Sequence, residues 1–185
     1  MKQKSLAMIL ILSAILVAVS VSGCTTGTVT VSPSAAPASL AGNALSAGLP
    51  DSSDYNITIT GGSVSPVTIT YADLKAMKMV ETGNITMVKM NGDGVTSDWV
   101  GVPLADILAK AGVPDGNVTF KISAPDGFVS VYASDELDGA MLGLKKNGTA
   151  LENKVSSDNP IQLVIPGQVG HMWIKVPVSI EIDTA

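Results

Sequence analysis

From Tyr55 onward, short β-branched and apolar runs recur between polar turn signals, a pattern that predicts strands. The predicted strands are "NITIT" (56–60), "VTIT" (67–70), "NITMVKM" (84–90), "VTFKIS" (118–123), "FVSVY" (128–132), "IQLVIP" (161–166) and "WIKVPVSIEI" (173–182). Two stretches read as helices. Tyr71–Met79 follows Thr70, an N-cap residue type, and carries Asp73 in its first turn facing the positive end of the helix dipole. Pro103–Ala111 has proline near its start, Leu104, Ile107, Leu108 and Ala111 at helical spacing, and Gly112 as a stop. Pro125-Asp126-Gly127 and Asn147-Gly148 are hairpin turns. Many strands with two short helices predict an α+β, mostly β domain.

The pattern changes toward the N-terminus. Lys2 and Lys4 precede an apolar run, Leu6 to Val21, broken only by Ser13 and Ser20 and followed by the small residues Ser22 and Gly23. Residues 1–23 therefore read as a secretory signal. The run is shorter than the ~20 residues a spanning helix needs. Val21-Ser22-Gly23-Cys24 resembles the lipobox of prokaryotic lipoproteins, archaea included, in which the cysteine is lipidated and becomes the new N-terminus. This implies anchoring to the outer face of the cell membrane, with Cys24 as the lipidation site. Thr25 to Pro50 holds no charge and is rich in Thr, Ser, Ala, Gly and Pro, so residues 24–54 are expected to be a lipidated flexible linker. Residues 55–185 are left as one domain.

Composition narrows the function. Cleavage removes both signal lysines, taking the formal charge from −5 to −7 (−5 − 2). Nine lysines remain from 11 basic residues, and none is arginine, which argues against a nucleic-acid partner. Cys24 is the single cysteine, so neither a disulfide nor a cysteine-ligated metal is available to the domain. His171 is the single histidine and has no second histidine to share a zinc ion, so it reads as a loop residue and no metal site is expected. Met77, Met79, Met87, Met90 and Met172 read as fillers of a core poor in aromatics, ahead of a soft Cu(I) site. Asn91, Asp93 and Asp98 offer oxygen ligands without EF-hand spacing and read as solvated turn residues. "GGSVS" (61–65) misses the spacing of a nucleophile elbow. Asn56, Asn84, Asn117 and Asn147 head N-x-T sequons, permissive for N-glycosylation of an exported chain.

Several longer stretches resemble the sulfite-oxidase-type molybdopterin-binding domain family, in that family's order: "ITGGSVSPVTITYADLKAM" (59–77), "DWVGVPLADILAKAGV" (98–113), "PDGF" (125–128), "LKKNGTAL" (144–151) and "NPIQLVIPGQVGHMWIKVPVSIEI" (159–182). The resemblance implies that family's fold, an oxidoreductase ancestry and a molybdopterin site. It also implies a molybdenum-ligating cysteine in the strand before the 91–99 loop. Here that stretch is "ITMVKMNGDG", with Met87, Met90 and Asn91 but no thiol. Gln162 stands where the family uses an arginine. Lys175, Gly167 and Gly170 correspond to the segment that wraps the pterin phosphate, and with Asn91 they are the cofactor-site candidates. No catalytic residue is expected. The expected function is a lipid-anchored, non-catalytic module for a protein or small-molecule partner, without cofactor. The alternative is a divergent oxidoreductase that holds molybdopterin without a protein thiolate.

Overall fold

Thr70 starts the first helix by reciprocal capping: its hydroxyl accepts from the Asp73 N–H, and the Asp73 carboxylate accepts from the Thr70 N–H at 3.0 Å. The computed structural model describes residues 44–114 and 116–184, within a unit spanning Ser39–Ala185. The signal segment and Cys24 lie outside the described residues. The chain order is β1 (Asn56–Gly61), β2 (Val67–Thr70), α1 (Tyr71–Ala76), β3 (Val80–Val88), β4 (Gly94–Pro103), α2 (Leu104–Lys110), β5 (Val118–Ser123), β6 (Val129–Ala133), β7 (Met141–Lys146), β8 (Thr149–Ala150), β9 (Gln162–Val164) and β10 (Ser179–Thr184). Mostly β with two helices is the architecture the sequence predicts.

The strands form two five-stranded sheets. In the first, ordered β2-β1-β10-β5-β6, β1 and β10 run parallel and the other neighbours antiparallel. Period-two alternation sends Ile57, Ile59, Ile69, Phe120, Ile122, Ile180 and Ile182 into the core. Outside, Lys121 pairs with Glu181 at 2.9 Å. The second sheet runs β3-β4-β7-β8, with β9 also on β7.

Two expectations are corrected, and one strand is new. The Gly/Asp-rich stretch at 91–99 is mostly strand: β4 begins at Gly94, and only a tight turn separates it from β3. Glycines and Asp98 hide the alternation in which Ser97 and Trp99 are buried while Thr96 and Asp98 are exposed. β7 was also hidden, because Gly143 and two lysines interrupt its apolar run. Of "WIKVPVSIEI", only the part from Ser179 joins a sheet; Val176 has a φ of 48° and Pro177 has no N–H to give a ladder.

The N-terminal boundary also differs. Residues 44–54, expected in the linker, are packed: Leu49 is 7% exposed in the core. Lys75 Nζ donates to the Pro50 carbonyl at 2.8 Å, Lys145 Nζ donates to the Ala47 carbonyl, and Asn153 Nδ2 donates to Asp54 Oδ1 at 2.8 Å. The segment is free of charge up to Pro50, and lysines of the domain fasten that part through its carbonyls.

Candidate functional site

The tips of three elements converge at one end of the second sheet. After β3, Lys89 N–H donates to the Asp93 carbonyl at 2.8 Å and Gly92 N–H to the Lys89 carbonyl at 2.9 Å, closing the turn into β4. A parallel bridge between Val88 and Val169 draws the 166–175 segment against that turn. Ladder pairing of Trp99 with Lys146 brings in the end of β7. The segment itself doubles back: Leu163 N–H donates to Ile174 O at 2.8 Å and Val176 N–H to Ile161 O at 2.7 Å, with Gln162 bridged to Lys175. The turn Gly170–Met172 is fastened from the first sheet by Tyr132, whose hydroxyl donates to the Met172 carbonyl.

These elements enclose a cleft of about 390 Å3, within the usual range for a small-molecule site. Its walls are cationic: Lys89, Lys146 and Lys175 line it against one carboxylate, Asp158, and His171 adds an imidazole. Met87, Met90, Gln162 and Gly170 complete the part facing the 166–175 segment. Its floor is a tryptophan pair, Trp99 (2% exposed) and Trp173 (4% exposed), whose rings meet edge to face at 5.8 Å between centroids. Lys146 Nζ stands 5.3 Å from the centroid of the Trp99 ring, a cation–π contact that holds the ammonium at the cleft wall. Both indole N–H groups are buried without a hydrogen-bond partner. A larger groove of about 710 Å3 runs beside α2, lined by Leu104, Leu108, Phe120 and Leu137. It lacks lysine and histidine, so the site with chemistry is the smaller cleft.

The four sequence candidates divide. Lys175 and Gly170 line the cleft. Gly167 sits in an exposed turn with a φ of 79°. Asn91 closes its own turn, Nδ2 donating to Asp93 Oδ2 at 2.7 Å while Oδ1 accepts from the Asp93 N–H. Asp98 lies apart from that turn, accepting the Asn84 N–H at 2.9 Å. Among the described residues, no group of three His, Cys, Asp or Glu side chains is placed to hold a metal. Sequence reasoning missed Lys89, Lys146 and Trp99; Lys146 and Trp99 meet only through cross-strand pairing. The four sequon asparagines, Asn56, Asn84, Asn117 and Asn147, are all exposed. At Asn147 the side-chain oxygen accepts the Asp98 N–H at 2.9 Å.

The family model of the oxidoreductase molybdopterin binding domain matches residues 46–185, and the chain belongs to this family. The solved structure of the sulfane dehydrogenase SoxCD from Paracoccus pantotrophus is similar to it over 70% of this chain, at 27% identity and a TM-score of 0.56. This chain spans 38% of the length of that one. No curated protein matches the sequence significantly.

Whether this cleft fits the family's cofactor depends on its donors. The lysines suit a phosphate. For the metal, the lining offers two thioethers, one imidazole and no thiolate, and neutral sulfur is a poor ligand for a hard, high-valent ion. Gln162 lines the wall where the family resemblance calls for a guanidinium, and an amide cannot make that charged bidentate contact. The residues do not fit a protein-ligated molybdenum centre.

Proposed function

We propose that this chain is a lipid-anchored, extracytoplasmic, non-catalytic module of the molybdopterin-binding family whose cleft binds an organic anion. The observation that supports it is the lining itself: three lysines against one carboxylate, with no thiolate. Molybdopterin without a metal–protein bond satisfies this chemistry, as does another phosphate-bearing small molecule. In such a site Lys89, Lys146 and Lys175 attract and orient the anion, and the Trp99 ring keeps the Lys146 ammonium at the wall. A second reading, a divergent molybdopterin-dependent oxidoreductase, draws on the family membership and the likeness to the sulfane dehydrogenase.

The anion site is tested with inorganic phosphate and guanosine monophosphate as probes in calorimetry at low salt. Each charge-assisted hydrogen bond contributes about 1.5–3 kcal/mol, so Lys146→Glu with Lys175→Glu is expected to abolish measurable binding. Rising salt weakens the native interaction. Equal affinity in the native and doubly substituted chains would reject the cationic cleft as the binding site.

The anchor is tested separately. Intact mass of membrane-extracted protein is expected to show a diacylglyceryl-modified chain beginning at Cys24, and Cys24→Ser is expected to release the protein from membranes. A mature protein beginning elsewhere, or one that stays on the membrane as Cys24→Ser, would refute it.

A further inference from the structure

Most of the methionines pack in or on the core, as the sequence predicts: Met79 and Met141 are buried, and Met77, Met87 and Met172 pack against the core cluster. Met90 departs from this, being 90% exposed. Its position is informative. The parallel bridge between Val88 and Val169 sets the turn that carries Met90 beside the Gly170–Met172 turn that carries His171, the only histidine of the chain. Met87, near the end of β3, completes the group. A Cβ at Gly170 would lie 3.1 Å from both Cγ and Sδ of Met87, which puts the thioether directly against the backbone that leads into His171. Met87, Met90 and His171 all line the same cleft.

We propose that these three residues form a Cu(I) site at the cleft. Two thioethers and an imidazole are a neutral, soft donor set. Thioether sulfur favours Cu(I), whereas Mg2+, Ca2+ and Mn2+ favour oxygen ligands and structural Zn2+ sites use thiolate or several imidazoles. The turn carrying Met90 is held at its base by the Lys89 and Asp93 backbones, which leaves the exposed side chain free to close over an ion held by Met87 and His171. Gly170 is required here, since a side chain would push Met87 away. Lys89, Lys146 and Lys175 share the cleft and oppose a bare cation. An anion bound by those lysines offsets the repulsion, so anion and Cu(I) reinforce each other by linkage.

The site does not depend on the anion reading, and one experiment separates them. The full chain carrying Cys24→Ser, which removes the single competing thiol, is purified in detergent without oxygen. Cu(I) is then titrated against a chromophoric Cu(I) chelator. Stoichiometric uptake is expected. Met87→Leu, Met90→Leu and His171→Ala should each weaken it at least ~10-fold, the lower end of the loss seen when only an outer-sphere partner is removed. Met77→Leu should leave it unchanged, and Lys146→Glu with Lys175→Glu should strengthen it. Met90 and His171 are exposed, and Met87→Leu is a near volume-conserving swap, so these variants keep the fold, which circular dichroism verifies. X-ray absorption should report sulfur and nitrogen neighbours. No uptake, or uptake that persists in all three ligand variants, overturns the proposal whether or not phosphate binds.

Discussion

Gly101→Ala is expected to destabilise the fold by more than about 3 kcal/mol, beyond the usual range for an overpacked core. Gly101 lies in β4 opposite Gly143 of β7, beside a register shift between Val100 and Gly101. A Cβ there would stand 2.1 Å from the Leu142 carbonyl oxygen, 2.8 Å from its carbon and 2.9 Å from the Gly143 Cα. All three are backbone atoms, so no side-chain rotation relieves the contact. The strands must separate, and β4 and β7 are central to the sheet that carries the cleft. At roughly 2–4 °C per kcal/mol for a chain of this size, the melting temperature should fall by at least about 6 °C. Gly148→Ala is the control. Its φ of 77° makes alanine unfavourable, but its Cβ would meet nothing within 4 Å, so a cost of about 1–2 kcal/mol is expected. Calorimetric melting that ranks the two substitutions the other way would contradict the pairing of β4 with β7.

The second large effect appears in alkali. The chain has 3 tyrosines, and burial raises the phenol pKa of Tyr55, Tyr71 and Tyr132 above the ordinary value of 10.0. In the unfolded chain they ionise first, so the fold holds more protons than the unfolded state above pH 10. The sign follows directly: their contribution is fully present below about pH 10 and is lost as pH rises, by about 1.4 kcal/mol per pH unit for each phenol still protonated in the fold. Tyr55 should dominate. It is buried, and its hydroxyl donates to the Pro177 carbonyl at 2.6 Å, joining the start of β1 to the chain that enters β10. Tyr55→Phe leaves that carbonyl unsatisfied and should cost about 1–3 kcal/mol at neutral pH, while flattening the alkaline decline. Urea unfolding at a series of pH values from 7 to 11 measures both. A Tyr55→Phe chain with unchanged stability and an unchanged alkaline slope would place that phenol in solvent.

The helices and hairpin turns were legible because their determinants are local. Thr70 with Asp73, Pro103 with Gly112, and Asn147-Gly148 each act within one turn. β4 and β7 were not, because the glycines that disguise them answer distant backbone and side chains. Gly101 yields to Leu142, and Gly143 yields to the Trp99 ring, whose Cε3 would lie 2.8 Å from a Cβ there. Leu49 was missed for a similar reason: a charge-free segment looks like linker until Lys75 and Lys145 are brought to its carbonyls. For the site, family resemblance pointed to the 166–175 segment, and Lys175 and Gly170 do line the cleft. It could not supply Lys146, which reaches Trp99 only through the β4–β7 ladder, or the approach of the Met90 turn to the His171 turn through the Val88–Val169 bridge.

We propose that the cleft of this chain holds no protein-ligated molybdenum. Expression of the full chain in a host that makes molybdopterin, followed by molybdenum analysis of the purified protein and fluorescence of released pterin, tests it most directly. Molybdenum far below one atom per chain, with or without bound pterin, is the expected result. Stoichiometric molybdenum that survives dialysis would contradict the claim and make the chain a molybdoenzyme without a protein thiolate.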